Sequence, residues 1–172
     1  MPRLFTALWP PPEAIAALAD HLAAHPEWPP EGWRAIPAER WHVTLRFHGE
    51  AEVDPLVARL DRRFPRLCPP LLRLAEAVSF RGVAAVGVAA AGTGDHDALR
   101  ELVRGAGVDP RRFRPHVTVG RTNRRGAPRP ALEPLRGYQG PWWRAEQACL
   151  VHSRLGPGGP TYTVLHRVRL SG

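Results

Sequence analysis

The chain has 172 residues and a formal charge of +8, from 24 basic and 16 acidic side chains, and every basic one is arginine. Without lysine, Schiff-base, adenylyl-lysine and phosphate-loop-lysine chemistries are excluded, while forked guanidinium groups in excess favour a polyanionic partner such as nucleic acid. Proteome-wide exchange of Lys for Arg gives the same composition, so charge alone does not name that partner.

The length suits one domain, and Cys68 and Cys149 show neither metal-ligand spacing nor a disulfide framework, which fits a reducing compartment with both as core residues. Leu4 to Trp9 reads as a buried strand. Pro10-Pro11-Pro12 ends it and opens a helix with Ile15, Leu18 and Leu22 at helical spacing. His21 and His25, on or just beyond that helix, are expected at the surface. A Pro-rich loop from Pro26 to Gly32 leads to a short strand near Arg34 to Ile36 and then to a strand from Trp41 to His48. Alternation there puts His42, Thr44, Arg46 and His48 on one face and Trp41, Val43, Leu45 and Phe47 on the other. Leu56, Val57, Leu60 and Phe64 mark a second helix, ended by Pro65.

Leu72 to Phe80 and Val83 to Ala89, separated by Arg81-Gly82, form a hairpin. A turn from Gly92 to Asp95 opens a helix striped by Leu99, Leu102 and Val103. A strand follows at Phe113 to Arg121, then a loop from Thr122 to Pro130 whose Arg124, Arg125 and Arg129 are candidates to grip a phosphate backbone. Trp142 to Ser153 and Tyr162 to Leu170 give two last strands around a Gly- and Pro-rich turn. The amino terminus lacks a signal peptide's apolar core, and the longest small-apolar run, Val83 to Gly92, is too short to span a bilayer. A soluble cytoplasmic protein with no membrane association is expected.

The chain is organised around a repeat: His42-Val43-Thr44 recurs as His116-Val117-Thr118, 74 positions on. With eight His and seven Thr in the chain, about a third of one His-x-Thr match arises by chance, so the weight lies in the second copy and the matching apolar strands. Each copy carries an imidazole and a hydroxyl on one face and apolar residues on the other. Strand and helix alternate twice over. The expected fold is therefore α+β and bilobal: two small, mainly antiparallel sheets related by a pseudo-two-fold, helices outside, and an active-site cleft between the lobes. Residues 1–172 form one such domain.

Two imidazoles facing one cleft make an acid and base pair near neutrality. Thr44 and Thr118 offer hydroxyl donors to non-bridging phosphate oxygens, and Arg121 adds charge for a pentacoordinate intermediate. No metal or cofactor is called for. Strict alternation aims Arg121 at the wrong face, unless a bulge or strand end at Gly120 turns it inward.

At these residues the sequence resembles the two-histidine (2H) phosphoesterases, and among them the RNA 2',3'-cyclic phosphodiesterases, also called 2'-5' RNA ligases. The resemblance spans Arg3 to Leu8, Trp41 to Glu50, Phe113 to Arg121 and the tail from Ser153 through Pro160 to Tyr162. His48 departs from it, standing where an aliphatic residue is usual. The resemblance implies hydrolysis of a terminal 2',3'-cyclic phosphate on RNA to a 2'-phosphate, with His116 activating water and His42 protonating the leaving oxygen. Reversible joining of RNA ends through a 2'-5' linkage, driven by the strained cyclic phosphate, is also implied. The implied partner is RNA, with no obligatory protein partner and a monomeric chain. Phe5 is a candidate to stack on a base, with a core aromatic in the first strand as the favoured reading, and Ser153 and Tyr162 are expected to position the last hairpin.

Motifs alone do not separate RNA ends from small cyclic nucleotides or ADP-ribose cyclic phosphate. A non-catalytic RNA-binding module has no need of duplicated histidines with adjacent hydroxyls. A metal hydrolase built on His42, His48, His116 or His152 lacks a carboxylate at a familiar ligand spacing.

Overall fold

The computed structural model describes residues 1–123 and 129–172. Strands β1 (Arg3–Leu8), β2 (Arg34–Ala35), β3 (Val43–Glu50), β4 (Leu71–Phe80), β5 (Val83–Ala90), β6 (His116–Arg121), β7 (Trp143–Arg144), β8 (Gln147–Gly156) and β9 (Gly159–Arg169) form two antiparallel sheets. The first has the order β3-β1-β8-β9 and the second β2-β6-β5-β4-β7. The helices are α1 (Pro12–Ala23), α2 (Val53–Arg63), α3 (Thr93–Ala106) and the short α4 (Arg129–Leu132). None of the described helices is long and apolar enough to cross a membrane.

Proline and glycine set most of these boundaries. Pro11 is extended at the N-cap of α1 and Pro12 fills its first turn, where the missing N–H costs no helix bond. Gly107 ends α3 in the left-handed region at φ 91°. One apolar cluster runs through both sheets: Leu4, Val43 and Leu45 from the first meet Val86, Val117 and Val119 from the second, with Leu102 and Val103 of α3. The valines at the centre of the two His-x-Thr units are both fully buried in it. The same burial that anchors Val43 and Val117 therefore turns the histidines and threonines away from the core.

The stretch from Trp142 to Ser153 is not one strand. It breaks at Ala145-Glu146, so that β7 pairs with β4 in the second sheet and β8 pairs with β1 and β9 in the first. Local propensity reports extended backbone but not a change of partner, and Ala145 is held at the break by its N–H on the Pro70 carbonyl, 2.9 Å away. Two smaller expectations also fail. Cys68 is exposed, leaving only Cys149 buried. His21 is not a free surface group, because its Nε2 lies 2.6 Å from the Pro134 carbonyl and its ring packs on Tyr138.

The end of α3 is tied to the site by two guanidinium groups. Arg46 of β3 donates to the Ala106 and Gly107 carbonyls, and Arg59 of α2 donates to that of Gly105. Cations there complement the helix dipole and satisfy carbonyls left over by the last turn. A Cβ at Gly107 would collide with both guanidinium groups. Gly107→Ala is therefore expected to cost about 1–2 kcal/mol in chemical denaturation. Gly94→Ala, at a helical position with open space around the added carbon, is expected to be neutral or slightly stabilising. Equal losses in the two variants would contradict this.

Candidate active site

The two His-x-Thr units are built alike beyond their sequence match. A 3₁₀ turn precedes each, Ala38–Arg40 before His42 and Pro110–Arg112 before His116. The ring then folds back on the chain: His42 Nδ1 lies 2.7 Å from the Arg40 carbonyl, and His116 Nδ1 lies 2.7 Å from the Arg114 carbonyl. A carbonyl oxygen only accepts, so each Nδ1 carries the hydrogen and each neutral ring keeps its lone pair on Nε2. Both rings line one cavity of about 870 Å³, with walls from both sheets.

Beyond each threonine the strand bulges. Opposite β5, Ala85 pairs with Thr118 but Ala84 pairs with Gly120, so Val119 is an extra residue in β6. Its carbonyl is taken by the Ile36 N–H at 2.8 Å. The slip carries Arg121 onto the face of Thr118, and it lines the cavity. The expected inward turn of Arg121 is thus present, centred on Val119. In β3 the equivalent slip skips Leu45, since Ala7 pairs with Thr44 and Thr6 with Arg46.

That second slip overturns the face expected for Phe47, while Arg46 still borders the cavity as expected. Phe47 is 57% exposed and lines the cavity on the same side as Thr44. A further slip, which leaves His48 without a partner on β1, turns that residue away. His48 instead places Nε2 2.9 Å from the hydroxyl of the buried Thr6, giving that core oxygen its partner. Neither His48 nor His152 belongs to the cavity wall. Phe5 is also corrected: only 1% of it is exposed, so no base can reach its face. It lies beneath the site, stacked on His42 at 4.8 Å and on Phe47 at 5.6 Å. Trp9 stacks on His42 at 5.2 Å, and Tyr162 meets its ring edge-on at 5.1 Å.

The cavity wall includes seven arginines, Arg3, Arg34, Arg40, Arg46, Arg112, Arg114 and Arg121, and no Asp or Glu among the described residues. Arg34 and Arg121 face each other directly across β2 and β6. Thr44 and Thr118 are half-buried in the wall, and among the described residues neither hydroxyl is committed to a protein partner. Ser153, Leu155, Pro160 and Tyr162 of the last hairpin also border the cavity, and Arg40 holds the tip of that hairpin through the Gly158 carbonyl at 3.1 Å. Arg124 and Arg125 of the basic loop lie outside the described residues. No group of three or more His, Cys, Asp or Glu able to hold a metal ion occurs among the described residues.

Burial and positive charge act on both imidazoles in the same direction. His42 is pushed down to about 4, first by desolvation and then by the charge of His116, against the opposing effect of the Arg40 carbonyl. His116 is also lowered, by desolvation first and by Arg121 and Arg114 after it, while the Arg114 carbonyl works to raise it. Both imidazoles are therefore neutral at neutral pH.

Comparisons with known proteins agree on one family. The sequence profile of the 2'-5' RNA ligase superfamily matches residues 6–157. A Thermus thermophilus protein named RNA 2',3'-cyclic phosphodiesterase is 35% identical over 188 aligned residues, covering 99% of this chain and 91% of the relative. A crystal structure of a Thermus thermophilus protein superposes with a TM-score of 0.71 at 28% identity, covering 99% of this chain and 98% of the other. Escherichia coli LigT, crystallised with 3'-AMP, superposes with a TM-score of 0.74 at 25% identity over 99% of each chain.

The geometry predicts a titration. In the folded protein His42 should stay neutral with the hydrogen on Nδ1 until the pH approaches 4, as read by nitrogen NMR of the ring. Because its folded pKa lies below the unfolded value of about 6.5, the unfolded chain binds the extra proton more readily between those values. The stability contributed by His42 is thus complete above about pH 6.5 and is lost as the pH falls toward 4, as denaturation across that window should show. A His42 that titrates near 6.5, or that carries its hydrogen on Nε2 when neutral, would contradict this.

Proposed function

The chain belongs to the 2'-5' RNA ligase superfamily, and from that premise we propose that it hydrolyses the 2',3'-cyclic phosphate at an RNA end to a 2'-phosphate. The observation that carries this reading is the pair of imidazoles, each tied through Nδ1 to its own backbone and both bordering one cavity. Water attacks phosphorus as its proton passes to Nε2 of His116. The P–O3' bond breaks on the opposite side, and His42 gives the Nε2 proton to the departing O3'. Two histidines suffice for this exchange, so the reading asks for no metal or cofactor.

His42 must enter the reaction protonated. The incoming phosphate supplies an anion where the described cavity wall has no carboxylate, and an opposite charge within a few ångströms raises an imidazole pKa. Thr44 and Thr118 donate their free hydroxyls to non-bridging oxygens, and Arg121 offsets the charge that builds up on the pentacoordinate phosphorus. Phe47, exposed and backed by Phe5, receives the base of the terminal nucleotide; Phe5 supports it from below.

Arginine placement favours an RNA end over a lone cyclic nucleotide. Like charges directly opposite on paired strands repel, and Arg34 and Arg121 have no ion-pair partner among the described residues. A second phosphate, from the backbone that leads to the terminal nucleotide, relieves that repulsion at Arg34 while Arg121 holds the reacting phosphate. One chain supplies both histidines, both threonines and Arg121, so the reading takes the protein as a monomer acting as one bilobal domain.

The test is cleavage of a short RNA ending in a 2',3'-cyclic phosphate, in EDTA, with the product phosphate identified. Wild type should yield only the 2'-phosphate, and His42→Ala and His116→Ala should each lower the rate by about 10²- to 10⁴-fold. Arg34→Gln should slow cleavage of the RNA well beyond its effect on a nucleoside 2',3'-cyclic phosphate. A 3'-phosphate product, or activity that survives both histidine changes, overturns the reading; activity lost in EDTA and restored by metal overturns its metal-free form.

A further inference from the structure

Aromatic surface borders both histidines, but hydrolysis needs it on only one side. On the first sheet, Phe47 gives the terminal base its platform. On the second, Phe80 at the end of β4 lines the cavity with its ring centroid 4.5 Å from that of His116. The guanidinium of Arg114 lies over the Phe80 ring, 5.0 Å from its centroid, and borders the same cavity. Arg114 is exposed and has no carboxylate partner among the described residues. A water molecule attacking beside His116 makes no use of a cation stacked on an aromatic ring. A nucleoside does, because a base stacks on either surface.

The geometry points to an acceptor subsite: Phe80 and Arg114 hold the base of a nucleoside or RNA whose free 5'-hydroxyl takes the place of water. This inference rests on the reaction proposed above, with His116 as base. The 5'-oxygen forms the new bond to phosphorus and passes its proton to His116 Nε2. The P–O3' bond breaks and O3' receives the proton of His42 Nε2, leaving a 2'-5' phosphodiester and a free 3'-hydroxyl. No oxidant, nucleotide triphosphate or metal enters, since the bond that is lost is the strained one in the ring. Phe80 and Arg114 thus divide the product between joining and hydrolysis without taking part in proton transfer.

The deciding quantity is the ratio of joined to hydrolysed product. RNA ending in a 2',3'-cyclic phosphate is incubated with a large excess of a 5'-hydroxyl oligonucleotide, and both products are counted for wild type, Phe80→Leu, Phe80→Tyr and Arg114→Gln. A loosened His116 slows both routes together and leaves the ratio unchanged, so the ratio separates acceptor binding from structural damage. We expect it to fall about tenfold in Phe80→Leu and Arg114→Gln, within the range of one lost base stack, and to be retained in Phe80→Tyr. An unchanged ratio, or a wild type that makes 2'-phosphate but no joined product, overturns the acceptor subsite and leaves the hydrolase standing. A wild type that makes neither product overturns the hydrolase reading and the subsite with it.

Discussion

A backbone carbonyl can only accept a hydrogen bond, and that constraint, met once at Arg40 and once at Arg114, governs the chemistry available to the molecule. It fixes the tautomer of His42 and of His116, leaves Nε2 of each as the nitrogen with the lone pair, and holds each ring without a carboxylate among the described residues. In many acid-base sites an Asp or Glu orients the imidazole and raises its pKa at the same time. Here orientation comes from a neutral partner, while burial lowers the pKa of both rings, joined by the charge of His116 at His42 and by that of Arg121 and Arg114 at His116. In the proposed reaction it is the substrate phosphate that brings the negative charge by which one ring holds a proton.

The two His-x-Thr units share one local build, and the bulges set what differs between them. Each unit runs through a 3₁₀ turn, a histidine, a buried valine and a threonine, then slips by one residue. The slip puts the residue five places after the histidine back on the cavity side. In the first copy that residue is Phe47 and in the second it is Arg121. One backbone device thus presents an aromatic ring from one sheet and a cation from the other.

Much of this was legible in the sequence, up to those bulges. Proline and glycine punctuation marks α1, α2, α3 and the β4-β5 hairpin because those residues act on the backbone locally. His42, Thr44, His116 and Thr118 were legible because a period of two holds between each histidine and its threonine. Past the threonine it does not hold. Strict alternation therefore puts Phe47 and His48 on the wrong faces, and of the two readings of Phe5 the core aromatic is the one that holds, as the buried support of Phe47. The signal was there in the shared spacing of Phe47 and Arg121 from their histidines. The break between β7 and β8 had no such signal, since it depends on which sheet each half finds in space.

His48 shows how a departure from a family pattern can be settled by one contact. An imidazole where an aliphatic residue is usual pairs with Thr6, the hydroxyl that would otherwise be buried without a partner. The central claim, that His42 and His116 grip one phosphorus from opposite sides, is tested most directly by a crystal structure with a nucleoside vanadate, which adopts the trigonal bipyramid of the reaction. The account predicts one apical oxygen on His42 Nε2, the other on His116 Nε2, equatorial oxygens on Thr44, Thr118 and Arg121, and the base over Phe47. Vanadium bound away from either imidazole, or both histidines on the same side of it, would contradict the account.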